Sequence, residues 1–218
     1  MKSVGFIGEV EPGKQSLFIG GFVSADDEFT VQANKKAAIA NRKLLKEQSG
    51  ESFTYYTSMQ RAVFYQRSWH VKPYVDVSYV SAFQNDRFAY FLFHERQLAT
   101  KMGTETRLAR TCLSDTGNTN SPLSDSTYTS YIEIPISCTY EGVEYPALTS
   151  VDLVAAEGLY DQGEKVLVGT FSNEKNSTQT AICTFSFDEV GTFFRYVIDF
   201  IRIDNKSLHI KFNFVFFK

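Results

Sequence analysis

One pattern, met three times, most constrains what this chain can fold into. An apolar strand, a polar connection and a second strand of small and apolar residues recur at a spacing of about 70 residues. The first unit pairs 17–23 with 38–44. The second pairs 88–93 with 108–113, and the third pairs 166–171 with 181–186. Repetition at a fixed period marks an architecture made by stacking one supersecondary unit. The second and third units also carry an upstream strand, 75–80 and 148–153. Each leads through a turn, Gln84-Asn85-Asp86 in one and 161–164 in the other. A further strand follows each unit, for example 52–56 and 128–136. Within the latter, Tyr131, Glu133 and Pro135 alternate with Ile132, Ile134 and Ile136, the signature of a half-buried strand. Four antiparallel strands per unit form the blade of a β-propeller. The expected fold is therefore all-β, a partial propeller of about three blades with the ring incomplete. The continuous apolar run 88–93 should lie mid-blade, buried on both faces. A β-sandwich with coincidental spacing is the alternative.

Composition agrees with strands. The 20 Phe and 12 Tyr are strand formers. The formal net charge of −3 leaves no basic footprint for nucleic acid. The first residues lack the apolar run of a secretory signal, and no stretch reaches the roughly 18 apolar residues that cross a bilayer. The chain is thus expected to carry neither an export signal nor an anchor. Residues 34–48 have helical propensity, but the repeat assigns 38–44 to a strand.

Few residues point to chemistry. Gly8-Glu9-Val10-Glu11-Pro12-Gly13-Lys14-Gln15 nearly spells a phosphate-binding loop. Gln15 replaces the required Ser or Thr, a strand follows instead of a helix, and Glu9 and Glu11 repel phosphate. It reads as a turn before a strand. His70, His94 and His209 are scattered, and the lone Trp69 is a core or contact aromatic. Glu133, Glu144, Asp152, Asp161 and Glu164 read as solvated loop charge, although a propeller glycosidase would use two convergent carboxylates. Cys112, Cys138 and Cys183 are three, an odd count, and lack the short paired spacing of a zinc site. Asn176-Ser177-Thr178 is an N-glycosylation sequon between two strands, and Asn205-Lys206-Ser207 is a second match.

The order Arg110-Thr111-Cys112, a polar loop, Ser130 to Cys138, Gly142-Val143-Glu144-Tyr145 and Val151-Asp152-Leu153 resembles the sema domain of plexins, cell-surface receptors for semaphorins. Leu17 to Gly21, Phe88 to Leu92, Val166-Leu167 and Phe171-Ser172 extend the resemblance from about Lys14 to about Phe187. It implies a sema-type propeller in residues 1–190, with 191–218 as a tail outside the family, disordered or a gene-model artefact. It implies a Cys138–Cys183 disulfide, because the matching cysteines are bonded in plexins. In the chain-entropy model such a loop closure is worth roughly 4 kcal/mol. Cys112 is then unpaired, since the residue its counterpart bonds is lacking here. Three buried free thiols remain the alternative reading of the residues themselves.

By the same resemblance the parent protein is a receptor and not an enzyme, needs no cofactor, and takes semaphorin as its protein partner. It stands at the plasma membrane on the extracellular side, and homodimerisation of the parent receptor is a further expectation. Ligand-contact residues do not follow from the matched motifs, which are structural strands. The alternatives are a sema domain of semaphorin or growth-factor-receptor type, a secreted decoy, and a glycosidase-type propeller enzyme. A set of three blades leaves two sheet faces open. The isolated chain is therefore expected to be marginally soluble and to bind semaphorin poorly.

Overall fold

The computed structural model describes residues 3–21, 35–43, 61–66, 75–97, 103–115, 128–155, 165–174 and 178–204. It divides into two compact units. Unit 1 comprises Met1–Met102 with Leu108–Glu133, and unit 2 comprises Gly103–Arg107 with Ile134–Lys218.

The chain forms a sheet in the order β1 (Val4–Glu11), β2 (Lys14–Gly20), β3 (Lys35–Lys43) and β4 (Arg61–Gln66). A second four-stranded sheet follows in the order β5 (Val75–Asn85), β6 (Phe88–Gln97), β7 (Thr104–Cys112) and β8 (Ile132–Ile136). Next come a two-stranded ribbon of β9 (Cys138–Tyr140) and β10 (Val143–Tyr145), then a sheet of β11 (Ala147–Ala155), β12 (Lys165–Ser172) and β13 (Thr180–Ser186). The fold is predominantly β, as the repeat implied. Each apolar strand of the pattern, β2, β6 and β12, lies inside its sheet.

Turn chemistry sets the hairpins. Pro12 and Gly13 stand at the two central positions between β1 and β2, with Gly13 at φ 74°. Pro supplies the first dihedral, and only Gly takes the second without strain. The Gly13 N–H donates to Glu9 Oε1 at 2.8 Å. Glu141 (φ 49°) and Gly142 (φ 77°) make the two-residue turn between β9 and β10, both left-handed, which matches the strand twist.

In unit 1 the inner face of the first sheet buries Phe18 and Ile39 together with Val77, Tyr79, Ala89, Phe91 and Phe93 of the second. Phe6 stacks on Phe18 with centroids 5.2 Å apart, and Tyr79 meets Phe93 at 5.3 Å. A fully buried ring such as Phe18 or Phe93 contributes about 1.5–3 kcal/mol by leaving water. Gly20 faces Tyr79, and a Cβ there would lie 2.6 Å from ring Cδ1. Ala89 to Phe93 are all buried, as expected of a strand covered on both faces. In unit 2, Leu148, Leu167, Phe171, Cys183 and Phe185 are buried, and Phe171 tilts against Phe185 at 5.9 Å.

The structure adds to the expected pattern and shortens one strand. The first unit does have an upstream strand, β1, which the repeat did not reveal. Its fourth strand is β4; residues 52–56 lie outside the described residues. The strand expected over 128–136 is shorter, because Asp115 holds Thr129 and Ser130 by their backbone N–H groups and takes them out of the ladder. The all-β expectation holds, with one helix following the last described strand. Helix α1 spans Phe187–Asp204. Ser186 caps it, its Oγ accepting the Asp188 and Glu189 N–H groups at 3.2 and 3.5 Å, and those two acids face the positive end of the helix dipole. Among the described residues α1 is the one α-helix, and no helix there is long and apolar enough to cross a membrane.

Candidate functional site

The residues singled out from sequence fall into separate places. In unit 1 the polar loop after Cys112 is pinned at both ends. Leu113 N–H donates to the Arg87 carbonyl at 3.0 Å. Asp115 accepts from Thr129 N–H (2.9 Å), Thr129 Oγ1 (3.0 Å), Ser130 N–H (2.7 Å) and Ser130 Oγ. Ser130 Oγ in turn accepts the Cys112 N–H at 2.9 Å. Hydrogen bonds accepted by a carboxylate are roughly twice as strong as those between neutral groups. Cys112 is a half-buried free thiol beside this clamp. Sequence reasoning missed the clamp, because nothing local links Asp115 to residues 14 and 15 positions later.

Where β6 meets β7, two guanidiniums lie on one ring. Arg110 Cζ is 4.5 Å and Arg87 Cζ 5.3 Å from the Phe88 centroid. Phe83 stacks on Tyr90 at 5.5 Å. Burial pushes the Tyr90 phenol above its ordinary range, and the hydrogen bond and charge of Arg110 pull it partly back. Arg110 is itself buried, so it acts as a packed strut as much as a surface charge. Deeper in unit 1 the Tyr79 hydroxyl is buried without a hydrogen-bond partner. Burial first, then the nearby Glu133 carboxylate, drives its pKa far upward, so it stays neutral.

Unit 2 holds Cys138 and Cys183 as a disulfide with Cα atoms 5.9 Å apart. The bond ties β9 to β13. From it the β9–β10 ribbon extends with Tyr145 buried beside Cys138, and with Tyr140 and Val143 directly opposite each other and exposed. The Tyr140 phenol is raised chiefly by its hydrogen bond to the Glu141 carboxylate. The start of β7 is fastened in the same unit. Thr104 N–H donates to Glu174, while Thr106 Oγ1 donates to the Pro146 carbonyl and accepts the Leu148 N–H at 3.0 Å.

Of the carboxylates noted in sequence, Glu133 is half-buried and accepts the Tyr131 hydroxyl, while Glu144 and Asp152 are exposed. Asp161 and Glu164 lie outside the described residues, as do Trp69, His70, His209, Asn205 and Asn176. The loop bearing Asn176 is closed by Asn173 N–H donating to the Gln179 carbonyl at 3.1 Å. Among the described residues no group of three or more His, Cys, Asp or Glu side chains could hold a metal ion. What this arrangement supplies is paired strands, with the ends of two connections held by hydrogen bonds.

No family model matches the chain. Human Plexin-B3 is 32% identical over 114 residues, which is 52% of this chain and 5% of that protein. Plexin-A3 of Rattus norvegicus is 27% identical over 215 residues, 88% of this chain and 11% of that protein. The chain thus spans about a tenth or less of the length of these curated relatives. Among solved structures, the full extracellular region of Plexin A4 superposes with a TM-score of 0.67 at 22% identity, covering 90% of this chain and 22% of that one. Drosophila Semaphorin 2a gives 0.57 at 21% identity, covering 88% of this chain and 29% of that one. In sequence the chain is similar to plexins, and its fold is similar to that of the sema-type propeller structures.

Proposed function

We propose that this chain is a piece of the ectodomain of a plexin-like receptor and contributes to the surface that binds semaphorin. The observation that carries the proposal is the overlap of two likenesses: Plexin-A3 aligns over 88% of the chain, and the Plexin A4 extracellular region superposes over 90% of it. The reading assigns no bond-making step and no cofactor to the chain. Affinity would come from apolar and aromatic anchors inside a polar rim. A position on the outer side of the plasma membrane agrees with the Cys138–Cys183 disulfide, since such bonds persist in oxidising compartments. Asn176 would carry an N-glycan there, and Cys112 would await a partner cysteine from the rest of the receptor.

The test is a chimera. This chain replaces the matching segment of a plexin ectodomain, and binding to an immobilised semaphorin ectodomain is measured by surface plasmon resonance. Affinity within about tenfold of the parent supports the reading, a difference of about 1.4 kcal/mol. A folded, secreted chimera that does not bind overturns it.

A further inference from the structure

Each of the first two sheets carries a fourth strand beyond its third, β4 outside β3 and β8 outside β7. Among the described residues the third sheet stops at β13. An edge strand offers its backbone N–H and C=O groups to one more strand. β13 also alternates: Ala181, Cys183 and Phe185 are buried, whereas Thr180, Ile182 and Thr184 are exposed. A strand laid along this edge must therefore be apolar on one side and polar on the other, with a period of two.

The chain supplies such a stretch just past α1, in residues 205–218, which lie outside the described residues. Leu208, Ile210, Phe212 and Phe214 alternate with His209, Lys211 and Asn213, and Phe216 continues the apolar series. A helix would put Lys211 on one face with Leu208 and Phe212, so the pattern is that of a half-buried strand. The connection also fits. α1 starts directly at the end of β13 and packs against β12 and β13, with Val190 and Phe194 buried. Its 18 residues span about 27 Å, and the 7 residues of β13 span about 23 Å. A helix of that length lying on the sheet returns the chain to the level where β13 begins. Asn205-Lys206-Ser207 then make the turn, a usual length for a helix-to-strand connection, and Asn is one of the few residues that takes the left-handed conformation ending a helix. Two strands joined across a helix in this way run parallel.

We infer that residues 208–216 add to the third sheet as its fourth strand, parallel to β13 of the same chain. Leu208, Ile210, Phe212 and Phe214 take the side of Cys183 and Phe185, and His209, Lys211 and Asn213 take the side of Ile182 and Thr184. The outer edge of β13 is thus a docking site for the chain's own C-terminal segment, which closes that edge to strands of other molecules. In the first sheet the fourth strand is antiparallel to the third; here the helix imposes the opposite direction. The inference does not depend on semaphorin binding.

The full chain, with its disulfide intact, is followed by amide hydrogen exchange and by NMR. In wild type the amides of 209–214 should exchange at least about tenfold more slowly than those of an unstructured chain, at every protein concentration. Nuclear Overhauser contacts should join 208–214 to 180–186 in the same order along both segments. Phe212→Asp puts a carboxylate on the buried side, and it should abolish the protection of the segment and lower that of 181–184. Lys211→Asp, on the exposed side, should leave both as in wild type. Retained protection of β11 and β12 and the mass of the oxidised chain show that each variant is folded. The inference is overturned by a wild-type segment that exchanges as fast as an unstructured chain, by contacts in the reverse order, by equal effects of the two variants, or by protection that appears only as concentration rises, the mark of pairing between copies.

Discussion

Unit 1 and unit 2 solve the same problem by different means. Unit 1 relies on rings. Phe18, Tyr79, Phe91 and Phe93 fill the space between two sheets, and no covalent bond crosses it. Unit 2 has a smaller aromatic core around Phe171 and Phe185, adds a disulfide from β9 to β13, and places a capped helix after the last strand. A β-meander with enough aromatic surface can close on packing alone. A ribbon of two three-residue strands cannot, because so short a pair is marginal in water. The cross-link makes up that deficit by restricting the unfolded chain.

This contrast can be broken or sharpened by experiment, beginning with the largest effect. Phe91→Ala should cost about 3–5 kcal/mol, because it opens a cavity among rings that cannot collapse around it. The loss should appear in amide exchange of unit 1, with β11 to β13 retaining their protection. Equal loss in both units would show one cooperative core. Reduction, or Cys138→Ser with Cys183→Ser, should cost up to about 4 kcal/mol and act chiefly on unit 2. Urea unfolding with and without reductant measures it, and a midpoint unmoved by reductant would remove the covalent half of the comparison.

Smaller effects follow. Ser186→Ala removes the acceptor for two N–H groups at the start of α1 and should cost about 1 kcal/mol, seen as lower helical circular dichroism and faster exchange at Asp188 and Glu189. Tyr79→Phe should be neutral or stabilising by about 1 kcal/mol, since it deletes a buried hydroxyl that lacks a partner. Destabilisation by that change would mean the hydroxyl is satisfied in solution, for instance by a buried water.

Periodic features were legible in the sequence. The runs around Phe91 and Leu167 became central strands because an apolar stretch without alternation has to be covered on both faces. Lys35–Lys43 is a strand despite its helical propensity, since pairing with β2 and β4 outweighs a weak local preference. Features set by a single local signal, or by distant pairing, were harder to read. Ser186-Phe187-Asp188-Glu189 has the form of a capping box, and that signal was masked by a strand pattern that closes at Ser186. β1 went unseen because glycines at 5 and 8 dilute its apolar pattern. The Asp115 clamp could not be read at all, as its partners meet only after the loop closes. The cysteine pairing came from family likeness, since three cysteines alone allow several outcomes.

The meeting of Gly20 with the Tyr79 ring carries a consequence for sequence variation. Here two layers are gauged by a missing atom: the gap is as narrow as it is because residue 20 offers only hydrogen toward the aromatic plane. Alanine at that position would lose no contact, yet it would wedge the layers apart. Tolerance at residue 20 should therefore track the size of the residue at 79, so that a bulkier 20 is accepted only beside a slimmer 79.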